Sequence, residues 1–146
     1  MDAEPVTLPA AGRLAGVDFG TRRIGVATCD PSRKFCGPHA VYERRTAALD
    51  AAWFARLVKE EGLVGFVVGL PLHTSGEESA KSREARTFAA WLGETTQLPV
   101  VLYDERYTSH AAEQLLAGME LTKKRRKERL DALAAQIILE AYLSRA

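Results

Sequence analysis

Apolar residues recur along this chain with two different periods, and the switches between them outline five strands and four helices. Leu14 to Phe19 and Ile24 to Cys29 read as strands, and the four residues Gly20-Thr21-Arg22-Arg23 between them suit a hairpin connection. A third, shorter strand is predicted near Ala40-Val41-Tyr42. Leu49, Trp53 and Leu57 then follow helical spacing with Phe54 and Val58 alongside, and Gly62 ends that helix as a residue that tolerates positive φ. Leu63 to Leu70 is a continuous apolar run, the pattern of a strand covered on both faces, and Pro71 closes it. After the loop His73-Thr74-Ser75-Gly76, the spacing predicts a helix over Glu77–Leu92 with Ala85, Phe88, Trp91 and Leu92 facing inward. Pro99 to Tyr103 makes the fifth strand, and Thr108 or Ser109 can cap a helix reaching about Leu116. In the last helix Leu130, Leu133, Ala134, Ile137 and Ala141 form an apolar stripe with Asp131 at its edge.

A hairpin followed by alternating helices and strands spells one α/β domain with a mixed sheet, expected over residues 13–146. Residues 1–12, with Pro5 and Pro9, read as a flexible tail. They lack the basic stretch and apolar run of a secretion signal. No apolar run approaches the roughly 20 residues needed to cross a bilayer, so no membrane partner is expected. Cys29 and Cys36 are too few for a disulfide framework and do not form a C-x-x-C pair. They are expected as reduced thiols in a cytoplasmic protein.

Charge changes the picture in one place. The net charge is +1, yet Lys123-Lys124-Arg125-Arg126-Lys127-Glu128-Arg129 carries +5 within seven residues, leaving the remainder near −4. A basic stripe on a mildly acidic body fits a local contact with a polyanion. A solvated helix start has the same composition.

Three acidic positions ask for an explanation. Asp18 interrupts an apolar, glycine-containing strand, where an isolated carboxylate is costly unless paired, hydrogen-bonded or bound to metal. Asp104 and Glu105 stand at the end of another apolar strand, and Asp131 lies at the margin of a core-facing helix. Carboxylates gathered from three elements repel one another and call for protons or cations. Oxygen-only donors suit magnesium or manganese better than zinc. Two such ions can activate water and stabilise a departing oxygen in phosphodiester cleavage. Each acid also has a structural alternative: a turn former beside Gly20, a partner for Arg106, or a charge near a helix start.

Four ordered segments resemble the YqgF/RuvX family of pre-16S rRNA nucleases and Holliday-junction resolvase-like proteins. They are Gly16-Val17-Asp18-Phe19-Gly20-Thr21-Arg22-Arg23-Ile24-Gly25-Val26-Ala27, Val67-Val68-Gly69-Leu70-Pro71-Leu72, Asp104-Glu105-Arg106-Tyr107-Thr108-Ser109 and Leu130-Asp131-Ala132-Leu133-Ala134-Ala135-Gln136. They span nearly the whole chain from residue 14 onward. The resemblance implies an RNase H-like fold: a mixed five-stranded sheet, its first three strands antiparallel and the rest parallel, flanked by helices. It implies Asp18, Glu105 and Asp131 as catalytic acids and metal ligands, holding two Mg2+ or Mn2+ ions. Asp104 is the secondary candidate, because strand alternation brings only one of the two neighbours inward. Products with 3′-hydroxyl and 5′-phosphate ends are likewise implied. One departure is visible, His73-Thr74 where the family commonly begins this loop with asparagine.

On this reading Arg22, Arg23, Arg106, Lys123, Lys124, Arg125, Arg126 and Lys127 neutralise phosphates of RNA, or of single-stranded or branched DNA. The expected activity is hydrolysis of phosphodiesters in processing the 5′ end of precursor 16S rRNA. The alternatives are a resolvase cutting four-way junctions, which favours a homodimer, and an RNA-binding maturation factor without turnover. Asp18-Phe19-Gly20-Thr21 also resembles a phosphate loop of actin-like ATPases, but those need two lobes, and no G-x-x-x-x-G-K-[ST] loop is present.

Overall fold

The computed structural model describes residues 6–117 and 123–145, with the side chains of 6–115 and 132–145. Strands β1 (Arg13–Asp18), β2 (Arg23–Cys29) and β3 (Cys36–Glu43) form an antiparallel meander. Helix α1 (Ala47–Glu61) leads to β4 (Leu63–Leu70), and α2 (Ala80–Thr96) leads to β5 (Val100–Asp104). A 3₁₀ turn (Glu105–Tyr107), α3 (Ser109–Ala117) and α4 (Lys123–Leu143) complete the chain. The sheet order is β3-β2-β1-β4-β5, with β4 parallel to both β1 and β5. This is the mixed sheet expected.

Side-chain alternation divides the core. Ala15 and Val17 of β1, with Phe66 and Val68 of β4, face α1 and α2 and meet Phe54, Leu57, Phe88 and Leu92. Leu14 and Val67 face the other way, onto Ile138 and Leu139 of α4. Phe54 and Phe66 are fully buried, each contributing about 2–3 kcal/mol of apolar transfer. Among the described residues no helix is long and apolar enough to cross a membrane.

Boundaries differ from expectation where packing overrides local pattern. Strand β3 runs from Cys36 to Glu43, well beyond Ala40–Tyr42. It is an edge strand whose exposed positions dilute the apolar signal, and Pro38 is accommodated at its register shift. Helix α2 begins at Ala80 instead of Glu77, because Ser79 and Ser82 form a reciprocal capping box. Helix α1 ends as expected, with Gly62 in the left-handed region at φ 61°.

Two helix faces are rotated relative to the predicted stripes. In α1 Leu49 is half exposed, and Asp50 takes the inward position. There it accepts from the Tyr42 hydroxyl (2.6 Å) and the Arg45 amide (2.8 Å), and it pairs with Arg44 (3.5 Å). In α4 the fully covered residues include Ala132, Leu133, Ala135, Gln136, Ile138, Leu139 and Ala141, whereas Ala134 and Ile137 are only half-buried. The helix meets the sheet through its small residues at the point of closest approach.

Near the start of the described chain, Arg33 donates to the carbonyls of Gly12 (2.8 Å) and Pro9 (2.7 Å). Cys29 and Cys36 are opposite each other in the β2–β3 register as free thiols. Burial and the neighbouring Cys29 push the Cys36 thiol up to about 12.

Candidate active site at the carboxyl end of the sheet

The parallel strands β1, β4 and β5 end on one side of the sheet, and Asp18, Leu70 and Asp104 are their last residues. In open α/β sheets functional groups collect at this end. Asp18 shares its face of β1 with Gly16, which lies under α4. A Cβ built on Gly16 would stand 2.6 Å from the Ala135 carbonyl oxygen. In the parallel register Val17 pairs with Val68, so Gly69 falls beside Asp18 on that same face. Gly69 has no side chain to fill the space, and the Glu105 carboxylate occupies it. A Cβ on Gly69 would lie 3.0 Å from Glu105 Oε1 and 2.5 Å from Ile138 Cδ1.

Asp104 and Glu105 part company here by a route the alternation argument did not contain. The strand stops at Asp104, and Glu105 opens the 3₁₀ turn. Asp104 caps that turn by accepting from the Arg106 amide (2.9 Å), and it binds the Arg106 guanidinium through Nε (2.8 Å). These contacts hold its carboxyl below the usual range, against the opposing effect of partial burial. Glu105 moves the other way. Burial raises its pKa first and repulsion from Asp104 adds to this, while Lys81 offsets part of the rise. The two neighbours are therefore one satisfied acid and one acid poorly compensated by positive charge.

Arg106 also reaches the Thr74 carbonyl (3.4 Å) and lies over the Tyr107 ring, 5.8 Å from its centroid. It ties the loop after β4 to the turn carrying Glu105. His73 is exposed on that loop, and its amide donates to the Glu77 carbonyl (3.0 Å).

Among the described residues no three His, Cys, Asp or Glu side chains converge as a metal cage. Asp131 lies on α4 one turn before Ala135, and its side chain falls outside the described residues. The same is true of Lys123, Lys124, Arg125, Arg126 and Lys127.

Arg22 on the β1–β2 turn and Arg23 at the start of β2 are both exposed. They line a cavity of about 450 Å³ together with Thr21, Glu43, Arg44 and Arg45. No sequence motif marks Arg44 or Arg45. Their signal was the hairpin register: Arg23 pairs with Glu43, so whatever follows Glu43 returns beside Arg22. Asp50 carried no such signal, because a helix-start acid ordinarily faces solvent.

Known proteins resemble this chain in sequence and in fold. The RuvX family, described as Holliday junction resolvase, matches residues 12–145. A Rhodopirellula baltica protein, provisionally named a pre-16S rRNA nuclease, is 51% identical over 92% of this chain and 78% of its own length. A Rhodobacter capsulatus protein of the same name is 39% identical over 99% of this chain and 91% of its own. Among solved structures, Thermus thermophilus RuvC in complex with a Holliday junction substrate superposes with a TM-score of 0.60 at 15% identity. It covers 90% of this chain and 94% of that one. At that identity the likeness establishes the RNase H-like resolvase fold alone. With every described element inside the matched span, the chain belongs to the RuvX family.

Proposed function

We propose that the protein is a metal-dependent nuclease that hydrolyses phosphodiester bonds in maturing the 5′ end of precursor 16S rRNA. The observation that carries this reading is the placement of Asp18 at the end of β1 and of the Glu105 carboxylate against Gly69 of the adjoining strand, both at the carboxyl end of the sheet, in a family with curated relatives named for that substrate.

The residues present fit a hard divalent cation. The donors are carboxylate oxygens, the bare Gly69 lets the Glu105 carboxylate lie against the strand next to the one ending in Asp18, and Glu105 is half-buried with little positive charge to balance it. Asp18 and Glu105 would hold Mg2+ or Mn2+ there, with Asp131 of α4 as the third acid and Asp104 committed to Arg106. Such an ion, when bound, lowers the pKa of a coordinated water and stabilises charge on phosphoryl oxygens. The chain's own contribution is positioning. Strand β1 fixes Asp18, the 3₁₀ turn fixes Glu105, and the Asp104–Arg106 pair holds the turn against the loop after β4. The cluster Arg22, Arg23, Arg44 and Arg45, with the basic run of α4, offers charge to the backbone of the nucleic acid without choosing sequence. The substrate places the activity in the cytoplasm.

The test is cleavage of end-labelled precursor rRNA, single-stranded DNA and a four-way junction, with magnesium, manganese or chelator. Metal-dependent cutting of the rRNA that disappears in Asp18→Asn and Glu105→Gln, with thermal unfolding little changed, is the expected result. Cutting that survives either substitution would remove the carboxylate assignment. Preference for the junction would reverse the substrate, and a homodimer would then be needed to cut both strands.

A further inference from the structure

Beyond Asp18 the chain passes to the opposite face of the sheet, and there it builds a second feature. The Phe19 ring stacks on Phe88 of α2, with centroids 4.7 Å apart and planes inclined by 24°. The Arg44 guanidinium covers the Phe19 ring, 5.1 Å from its centroid. Arg44 is held in that pose by the buried Asp50 (3.5 Å) and by donation to the Thr21 carbonyl (3.4 Å). Beside this stack opens a groove of about 540 Å³, walled by Phe19, Phe88, Trp91, Arg44, Arg83 and Thr87. Thr21 and Arg44 line both this groove and the arginine-rich cavity next to it. Phe19 is thus sandwiched between the buried Phe88 and Arg44, and the half-buried Trp91 indole and the Arg44 guanidinium are the planes that adjoin the arginine cluster, close to the strand end that carries Asp18. Two carboxylates border the groove: Asp50, already paired with Arg44, and Glu84 on the exposed side of α2.

Aromatic and guanidinium planes beside cations are what a single strand of nucleic acid needs, because a base stacks on the planes while its phosphates meet the charges. A base inside a duplex already has both faces covered, and unstacking it costs a few kcal/mol. We propose that the groove between the β1–β2 turn and α2 seats an unpaired nucleotide next to the phosphodiester being cut, so that the protein selects substrate that is single-stranded at that point. The position relative to the cut rests on the nuclease reading above, whereas the stacking site does not.

The chain has two tryptophans, Trp53 and Trp91. Trp53→Phe therefore leaves Trp91, on the groove wall, as the sole indole reporter. The protein is titrated in chelator with an unstructured RNA of about 12 nucleotides, with its fully paired duplex, and with a nucleoside monophosphate. The single strand is expected to quench Trp91 emission, and the duplex and the monophosphate to do so at least tenfold more weakly. Thr87→Glu then places a carboxylate at an exposed position of the groove wall. It should weaken single-strand affinity about tenfold, the scale of removing one base stack, with no change in thermal unfolding. Fluorescence anisotropy of labelled RNA on Thr87→Glu in the otherwise wild-type chain gives the same comparison without the Trp53 substitution. Absence of quenching, equal response to duplex or monophosphate, or an unchanged affinity in Thr87→Glu would overturn the stacking site. Because these titrations contain no metal, their outcome is independent of whether the protein cuts. Failure of the cleavage assay alone would leave the groove standing as a binding site.

Discussion

Replacing Gly16 by alanine probes the contact on which both the fold and the candidate site depend. A Cβ at this position would lie 2.6 Å from the Ala135 carbonyl oxygen and 2.7 Å from Leu139 Cβ. Neither partner can swing aside, since one is helix backbone and the other the root of a side chain. Ordinary C···O contacts fall near 3.3–3.6 Å and carbon–carbon contacts near 3.5–4.0 Å, so α4 has to retreat by about 1 Å. Overpacking of a core costs about 1–3 kcal/mol, and the need to move a whole helix puts Gly16→Ala at about 3 kcal/mol. In a chain of this size each kcal/mol lowers Tm by about 2–4 °C, which gives a fall of about 6–12 °C by scanning calorimetry. Gly37→Ala on edge strand β3 is the control. A Cβ there meets nothing within 4 Å, so its Tm should stay within about 2 °C of wild type. Helix α4 also carries Asp131, and a displacement of about 1 Å at a reacting centre lowers rate about a hundredfold. Cleavage below the unfolding range, measured on both variants, reads that second effect. A Gly16→Ala protein as stable and as active as Gly37→Ala would refute the close approach of α4 to β1 and the placement of the site beneath it.

Three further outcomes follow from named contacts. Gly69→Ala should cost only about 1 kcal/mol, since the atoms it meets are the movable ends of Ile138 and Glu105. It should nevertheless shrink the rise in Tm on adding manganese, and an undiminished rise would separate Glu105 from the metal. Asp50→Asn removes the charge that holds Tyr42, Arg44 and Arg45 together, and should cost about 2 kcal/mol near neutral pH. Burial alone would raise the Asp50 pKa, but its three donors outweigh that and hold it below the ordinary value. Its contribution is therefore complete above about pH 4, the unfolded value, and is lost as pH falls through the lowered one. Urea melts of wild type and variant should converge in that acid range, and a gap persisting there would contradict the assignment. Changing Lys124, Arg125 and Lys127 to alanine should flatten the slope of log affinity against log salt by about one for each phosphate no longer neutralised, and an unaltered slope would make the run a solvated face.

Element order and the mixed sheet are legible in the residues alone, and the acids stand out there as candidates. Those follow from local rules: apolar alternation in Leu14–Val17, the continuous run Leu63–Leu70, Gly62 at a helix end, and motifs short enough to read within one segment. Which way the helices face is not. Helix α4 carries apolar residues on adjoining rows, and only its pressure against Gly16 decides that Ala135, Ile138 and Leu139 turn inward while Ile137 stays at the side. Helix α1 turns Asp50 inward because Tyr42, Arg44 and Arg45 wait there, all contributed by another part of the chain. Strand alternation leaves the choice between Asp104 and Glu105 open, since the strand ends between them. Arg106 takes the first, and Gly69, more than thirty residues earlier, makes room for the second. The groove of Phe19, Arg44 and Trp91 joins three segments that no spacing rule relates. Periodicity reports which residues avoid water, whereas a site is made by which distant residues share a neighbourhood, and that comes from the packing of the whole chain.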